Sequence, residues 1–477
     1  MFFNVVKLIK KYYLILLCLF PLMFLIKLLC DYTIDMPFWD QWALVPIIDK
    51  YNKGNLSFYD LWSQHNEHRL IFPRIIMLLL AQITRWNTLY EVALNVFIAL
   101  GTYGVMIYYI RRTKILSNKD VGYLGVIISV LIFSSTQWEN WIWGWQIQIF
   151  LNIFAIVLGF FLLASPVFTW WRFVAALITG VVATYSFGNG LLYWPIGLFQ
   201  LFLITSLEKR TKRYILMSWL LFSVFIFFTY FYGYLKPNHH PSVLYFIKNP
   251  YIYLKYVFVY LGAPIASINK YLSFLMGFAG FAIFSVIGVF SLHNNNRYAI
   301  IPWLSLGLYG ICSAFETGVA RAGFGVGQAL APRYITISSL MWISILVLLK
   351  FYVQSRYSKI SDYSDYQHKN CSLQKYIVCF YTVIFVLLLF SINHGVNQLK
   401  ERYEYLLPAR NELLSACDDR LLLRIYPSPS EIRESIGILE KNRISVFRDS
   451  KNFVPSEKKA FRINGDLEIS RNKECSR

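Results

Sequence analysis

Long apolar stretches recur along the whole chain, and they limit the possible folds more than any other feature. Hydrophobic residues make up 57% of the 477 positions and charged residues only 15%, which is more apolar surface than a soluble core can bury. A hydrocarbon layer roughly 30 Å thick needs about 20 apolar residues per helix, and stretches of that length are separated here by short charged or aromatic links. The sequence therefore predicts an all-α polytopic membrane protein.

About eleven transmembrane helices fit this pattern. The predicted spans are 11–29, 88–110, 121–137, 149–165, 171–187, 190–207, 214–234, 271–292, 298–315, 334–352 and 376–393. Short loops rich in Lys and Arg stay in the cytoplasm. Basic residues cluster before the first span, after the second and between the sixth and seventh, which places the N-terminus inside. An odd number of crossings then leaves the C-terminus outside.

Three longer segments interrupt the alternation of span and link. The first outer loop covers 30–87, and a polar tail covers 394–477 after a transmembrane domain at 1–393. The tail is predicted to be a small extracytoplasmic appendage. The amphipathic run 245–265 is interrupted by lysines and bracketed by prolines, which favours a helix lying at the membrane interface. If that run crosses the membrane instead, the count becomes twelve and the tail moves inside.

The formal charge of +20 does not indicate a nucleic-acid partner. The basic residues are spread over the ends of predicted cytoplasmic loops and over the tail, as the positive-inside rule explains. The seven cysteines are scattered without CxxC spacing, so they give no metal-binding motif. The bilayer is the partner that composition predicts.

The first outer loop opens with DYTIDMPFWDQW, in which acids and aromatic rings alternate. Asp35 and Asp40 follow the membrane exit closely, and Trp39 and Trp42 flank Asp40. A partly desolvated carboxylate beside rings that stack on a sugar is suited to act as a general base on a sugar hydroxyl. The alternative is an interfacial aromatic belt with solvated acids.

Further along, the same loop reads QHNEHRLIFPR. A helix here would place His65, His68 and Arg69 on one face, with Glu67 beside them. Two histidines and a glutamate could bind a divalent metal, but helical metal-binding pairs usually have a different spacing and no further ligand is evident. A polar network that positions a substrate is therefore the preferred interpretation, with no cofactor required.

Two further outer links carry polar residues among aromatic or glycine residues. QWENWIWGWQIQ places Glu139, Asn140 and Trp141 in a tryptophan-rich link, which indicates a carbohydrate-stacking surface or an interfacial belt. FETGVARAGFGVGQALAPRY places Arg321 and Arg333 around flexible glycines, where two guanidinium groups could hold a phosphate or could cap helix ends at the interface. The turn SFGNGLLYWP adds Asn189 to the same side.

This polytopic chain with a large first outer loop resembles the GT-C class of polyprenol-phosphate-sugar-dependent glycosyltransferases. The segments that carry the resemblance are DYTIDMPFWDQW, QHNEHR, QWENW and GVARAGFG…APRY. Within that class the layout is most similar to the serotype-converting O-antigen glucosyltransferases of bacteria and their phages. The resemblance covers the architecture of nearly the whole chain. The class usually carries a close acidic pair in this loop, whereas Asp35 and Asp40 are separated here.

The resemblance implies an inverting displacement in which a first-loop carboxylate deprotonates an acceptor hydroxyl and polyprenyl phosphate departs. Asp40 is the favoured base and Asp35 the second acid. Arg321 and Arg333, with Arg69 or Arg74 as substitutes, would hold the donor phosphate. The candidate sugar- and acceptor-binding residues are Trp39, Trp42, His65, Glu67, His68, Glu139, Asn140, Trp141 and Asn189.

By the same resemblance, the partners are a polyprenyl-phosphate-linked sugar, with glucose expected, and a surface polysaccharide acceptor. A flippase and a glycosyltransferase that makes the donor are expected beside it in the bacterial inner membrane. One alternative is an O-antigen polymerase or ligase. Another is a polysaccharide or lipid transporter without bond-making chemistry, although the sequence lacks the inverted repeats and mid-span charges typical of transporters.

Overall fold

The computed structural model describes residues 2–164, 167–203, 208–237, 240–292, 297–357 and 363–448. Nearly all regular structure in these ranges is helical, apart from a two-stranded hairpin. The helices are α1 (Phe2–Tyr32), α2 (Val45–Asn52), α3 (Phe58–Trp62), α4 (Ile71–Thr84), α5 (Leu89–Thr113), α6 (Asn118–Ile132), α7 (Trp138–Ile142), α8 (Ile147–Leu163), α9 (Trp170–Thr184), α10 (Tyr193–Leu203), α11 (Lys209–Phe231), α12 (Tyr245–Lys248), α13 (Pro250–Ala266), α14 (Lys270–Leu292), α15 (Arg297–Arg321), α16 (Ile335–Tyr357), α17 (Tyr363–Glu412), α18 (Asp419–Leu422) and α19 (Pro429–Asn442).

Within the described ranges, 9 helical segments are long and apolar enough to cross a membrane. They are Tyr12–Tyr32, Leu89–Thr113, Asn118–Ile142, Gly144–Leu163, Lys209–Phe231, Lys270–Leu292, Arg297–Phe324, Pro332–Ser355 and Cys379–Glu412. Each overlaps a predicted span, so the all-α polytopic class is confirmed. The predicted spans 171–187 and 190–207 correspond to the shorter helices α9 and α10, so the count of eleven stays a prediction.

The link between α5 and α6 shows how the sequence sets helix ends. Arg111 and Arg112 lie in the last turn of α5, where positive charge complements the helix dipole. Lys114 then takes a left-handed backbone conformation with φ 54°, which ends the helix. The Ser117 hydroxyl accepts a hydrogen bond from the backbone N–H of Asp120 and caps α6.

The chain folds into two compact units. We call the first the bundle unit; it comprises Met1–Thr33, Ser57–Met77 and Glu91–Glu401. The second, the loop–tail unit, comprises Ile34–Leu56, Leu78–Tyr90 and the chain from Arg402 onward. The predicted boundary at 393/394 falls inside α17, and the tail shares its unit with two pieces of the first outer loop.

Buried aromatic residues fill the bundle unit, and several of their polar atoms form hydrogen bonds within it. The Tyr109 hydroxyl donates to the carbonyl of Tyr298 at 2.6 Å. The Trp219 indole donates to the carbonyl of Trp194 at 2.9 Å, and the Trp342 indole to the carbonyl of Leu261 at 2.8 Å. These hydrogen bonds matter because an unpaired polar group is costly where no water reaches it.

The run predicted to form an interfacial helix is helical, in α12 and α13. The first turns of α13 are partly exposed, but every residue from Val259 to Ala266 is buried in the bundle unit. Tyr253 donates to the carbonyl of Phe315, near the C-terminal end of α15. The C-terminal half of α13 is thus more enclosed than an amphipathic helix resting on a lipid surface would be.

In the loop–tail unit the tail packs directly on the first loop. Helix α19 contacts α2, and the backbone N–H of Ser445 donates to the carbonyl of Arg85 at 2.9 Å. The backbone N–H of Trp39 donates to the carbonyl of Ile425 at 3.1 Å. The described part of the tail is therefore a structural partner of the first loop and not a separate appendage.

Candidate functional site

The segment QHNEHR forms a tight hairpin and not the helix that its spacing suggested. Gln64–His65 (β1) pairs antiparallel with His68–Arg69 (β2), and Asn66 in the turn has φ 49°. Asn tolerates this left-handed conformation better than most residues. The prediction that His65, His68 and Arg69 share a helical face was wrong, although His65 and His68 do face each other across the hairpin. The turn presents Glu67.

Glu67 is the centre of a cluster of charged and polar side chains in the bundle unit. Its Oε1 forms an ion pair with Arg321, and its Oε2 lies 3.5 Å from Nε2 of His240. Nε2 of His68 lies 3.7 Å from Oε1. Burial disfavours the ionised form of Glu67, but the attraction of His68, Arg321 and His240 outweighs it and lowers the pKa of Glu67 to about 2. Glu67 is therefore a fixed negative charge at neutral pH.

The orientation of His68 follows from its backbone partner. The N–H of Gly188 donates to Nδ1 of His68 at 3.0 Å, and the ring packs on Phe187 with centroids 4.3 Å apart. These two contacts orient the ring so that Nε2 faces Glu67. His65 packs differently, with its ring 5.0 Å from that of Trp145.

A second carboxyl group, Glu316, lies near Glu67 on the last turns of α15. The sequence analysis placed it with Arg321 and Arg333 in the outer link after the predicted span 298–315 and gave it no role of its own. Burial and the charges of Glu67 and Glu316 together raise the pKa of Tyr234, so both carboxyl groups act on one tyrosine hydroxyl. The Tyr230 hydroxyl donates to the backbone carbonyl of Glu67 at 2.9 Å and so holds the hairpin turn in place.

Arg69 and Arg74, predicted as substitute phosphate ligands, instead hold the backbone together. Both are buried, at 3% and 4% exposure. Arg69 donates to the carbonyls of Tyr230, Trp62 and Tyr232. Arg74 donates to the carbonyls that end α3. Because backbone oxygens occupy these guanidinium groups, we assign neither of them to phosphate.

The second predicted arginine belongs to a neighbouring network in the bundle unit. Arg333 donates to Glu139 at 3.3 Å, and the side-chain amide of Asn140 donates to Thr336 at 2.6 Å. Arg333 is 37% exposed at its side chain, so it remains reachable. Asn140 is fully buried, and its side-chain amide joins the tryptophan-rich link to the segment around Arg333 and Thr336.

Trp141 does not form the sugar-stacking surface suggested by its sequence. It is 1% exposed, its indole donates to the carbonyl of Ser134, and its ring stacks on Phe150 with centroids 4.7 Å apart. The tryptophan-rich link is thus largely core. Asn189 is also buried, at 7% exposure, in the turn beside Gly188.

The two predicted acids of the first loop belong to the loop–tail unit and differ in their surroundings. Asp35 Oδ1 accepts two hydrogen bonds from Thr88 at 2.9 Å, and Oδ2 forms an ion pair with Arg448. Asp40 lies in the first turn of a short 3-10 helix, Trp39–Leu44, and is partly exposed. Trp39 is 43% exposed, whereas Trp42 is buried. Asp35 is therefore a structural anchor, and Asp40 is the more accessible carboxylate.

Within the described ranges, no group of three His, Cys, Asp or Glu side chains is arranged to hold a metal ion. The Glu67 cluster also contains Arg321, whose positive charge opposes a cation at that position. The sequence analysis did not identify His240. A pair of histidines between two prolines in an outer link is the feature that could have indicated it.

Comparison with known proteins finds no matching family model, no matching curated protein and no matching solved structure. The functional argument therefore depends on the side chains of this chain alone.

Proposed function

We propose that this protein is a membrane glycosyltransferase that moves a sugar from polyprenyl-phosphate-sugar to a surface polysaccharide on the periplasmic face. The observation that carries the proposal is the position of Arg321 at the end of a membrane-spanning helix, held by Glu67. A lipid-linked phosphate would meet the protein at that level. Glucose as the sugar and O-antigen as the acceptor follow from the resemblance to the GT-C class.

Arg321 has the properties that a phosphate ligand requires. Among the described residues, Glu67 alone accepts a hydrogen bond from its guanidinium group, which carries five N–H donors in all. The side chain is 20% exposed, so a ligand can reach the remaining donors. A guanidinium group matches phosphate geometry and would stabilise the charge that develops on the leaving phosphate.

Glu67 has a positioning role in this proposal. Its ionised carboxylate orients Arg321 through one oxygen, and His68 and His240 keep the carboxylate in place. A carboxylate with a pKa near 2 is a poor proton acceptor at neutral pH, which argues against Glu67 as the general base. Arg333 is the second candidate for the phosphate because its side chain is more exposed than that of Arg321.

We assign the general base to Asp40. Thr88 and Arg448 hold the carboxylate of Asp35 as a structural anchor, and Asp40 follows Trp39, whose exposed ring can stack on a sugar. In the proposed step the Asp40 carboxylate takes the proton of an acceptor hydroxyl. The hydroxyl oxygen bonds to the anomeric carbon, the bond from that carbon to the phosphate oxygen breaks, and polyprenyl phosphate leaves with the electron pair.

The contacts within each unit support the proposed topology. In the bundle unit, the hairpin of the first loop contacts Gly188, His240 and Arg321, which all lie in links or helix ends predicted to face outside. In the loop–tail unit, the tail packs on the first loop. Segments that fold together lie on one side of the membrane, which favours an odd number of crossings and a periplasmic C-terminus.

The test is transfer of labelled glucose from polyprenyl-phosphate-glucose to O-antigen by membranes that contain wild type, Asp40→Asn or Asp35→Asn at equal protein levels. We expect Asp40→Asn to lose at least about 100-fold in rate, since general-base catalysis contributes about 10²–10⁴-fold. Asp35→Asn should lose stability and keep transfer per folded molecule. Normal transfer by Asp40→Asn would overturn the assignment of the base.

A further inference from the structure

The Glu316 carboxyl group has an unusual position for an ionisable side chain. It lies inside the membrane-spanning segment Arg297–Phe324, and its Oε2 is shielded from solvent without accepting a hydrogen bond from any described residue. A buried polar atom without a partner costs about 1–3 kcal/mol, and ionisable side chains inside membrane spans usually serve a function. No feature of the packing explains why a glutamate is present there.

Asn189 supplies the complementary group. Its side-chain Nδ2 is buried and donates to no described residue, and the residue as a whole is 7% exposed. The 3-10 turn Gly188–Leu192 that carries it packs against α15, the helix that carries Glu316. An acceptor without a donor and a donor without an acceptor therefore lie on two elements that pack against each other.

The chemistry of these two atoms selects the kind of ligand. A carboxyl group accepts hydrogen bonds and, when it is protonated, also donates one, whereas an amide Nδ2 can only donate. A hydroxyl group does both at once, so a polyhydroxylated molecule satisfies Glu316 and Asn189 together. The negative charge of nearby Glu67 disfavours a second anionic group at this depth.

The position of Arg321 indicates how such a ligand would lie. Glu316 and Arg321 are five residues apart on one helix, which corresponds to about 7.5 Å along its axis. That axial separation is comparable with the length of a sugar phosphate, and both side chains lie near Glu67. Arg321 also lies at the end of the helix, and Glu316 lies deeper in the span.

We propose that Glu316 and Asn189 form a pocket that binds hydroxyl groups of the sugar carried by the lipid donor. This pocket would lie deeper in the span than the phosphate bound by Arg321. This inference rests on the proposed function and adds to it the residues that select the sugar. A site built to hydrogen-bond a hydroxyl strongly rejects analogues that lack it, because its buried polar groups are then left unpaired.

The test measures binding, not transfer, with the full chain in nanodiscs. Two lipids of equal charge are compared: a short-chain polyprenyl-phosphate-glucose and the analogue whose ring lacks all hydroxyl groups. Wild type should bind the glucose lipid about 10-fold or more tightly than the analogue, which corresponds to about one or two hydrogen bonds. Glu316→Gln and Asn189→Ala should each bring this ratio toward one.

Arg321→Gln is the matched comparison, because it should weaken both lipids by a similar factor and leave the ratio unchanged. Glu434→Gln, on the exposed face of α19, controls for loss of one negative charge. An unchanged ratio in both Glu316→Gln and Asn189→Ala would overturn the sugar pocket while the donor site stands. Failure of wild type to bind either lipid would overturn the proposed function itself.

Discussion

At the scale of single residues, Glu67 is the most strongly perturbed acid outside the membrane spans. Its folded-state pKa of about 2 lies below the ordinary value of 4.5, so the folded protein favours its ionised form. A shift of this size corresponds to about 3 kcal/mol of stability. That contribution is complete above the unfolded-state pKa and is lost as the pH falls toward 2.

We therefore predict that the stabilisation by Glu67 disappears in acid. At pH 7, Glu67→Gln should unfold at a lower temperature than wild type, and the gap should narrow steadily between pH 5 and pH 3. Thermal unfolding in detergent, followed by intrinsic tryptophan fluorescence, measures this. Glu434→Gln serves as the control with an exposed carboxylate. A gap that is the same at pH 7 and pH 3 would show that the ion pair with Arg321 does not stabilise the fold.

The sequence predicted which residue types gather near the site, but not their roles. In the sequence, four arginines look alike as basic residues in outer segments: Arg69, Arg74, Arg321 and Arg333. Only the fold shows that backbone carbonyls occupy the first two, because such contacts join Arg69 to Tyr230, far away in the chain. Glu316 was assigned to an outer link for a related reason, since the predicted span ended one residue before it.

At the scale of elements, the hairpin at Gln64–Arg69 illustrates a limit of periodicity. A spacing of three and four residues is compatible with a helix, but six polar residues bury too little apolar surface to select one. Contacts with distant segments decide the outcome instead, including the Tyr230 hydroxyl on the Glu67 carbonyl and the Gly188 N–H on His68.

Helices α13 and α14 pack closely because glycines face a backbone at two points. A Cβ atom on Gly262 would collide with the carbonyl of Ser273, and one on Gly277 with the carbonyl of Phe258. Small residues at such crossings allow membrane helices to approach. The sequence shows these glycines, but nothing in it indicates which helix each one faces.

We predict that Gly277→Ala destabilises the protein by about 2 kcal/mol or more, because the obstructing atom is backbone and the helices must move apart. Gly104→Ala is the matched control, since a Cβ atom there meets nothing within 4 Å. The unfolding temperature in detergent measures both variants. If Gly277→Ala were as stable as Gly104→Ala, the tight crossing of α13 and α14 would be refuted.

At the scale of the whole molecule, the class was readable from the sequence because lipid imposes length and apolarity on every span. Each of the long apolar segments falls where hydropathy placed it. The packing of the tail with the first loop could not be predicted from the sequence, because the contacts that create it join residues hundreds of positions apart. Arg448 and Asp35 are an example.

The grouping predicts that the first loop and the tail share one side of the membrane. With native cysteines replaced by serine, Asn55→Cys in the first loop and Glu434→Cys in the tail should react equally with a membrane-impermeant maleimide in spheroplasts. Lys119→Cys, in the first turn of α6, should react only after lysis. Labelling of Glu434→Cys only after lysis would contradict an outer tail.

The measurement that tests the central claim most directly is transfer by wild type and Arg321→Gln in membranes supplied with polyprenyl-phosphate-glucose and acceptor. Our account predicts transfer by wild type and a loss of about 100-fold or more in the variant, because the leaving phosphate loses its guanidinium partner. Equal transfer by both proteins would remove Arg321 from the reaction. Absence of transfer by correctly folded wild type, with any lipid-linked sugar, would contradict the assignment of this protein as a glycosyltransferase.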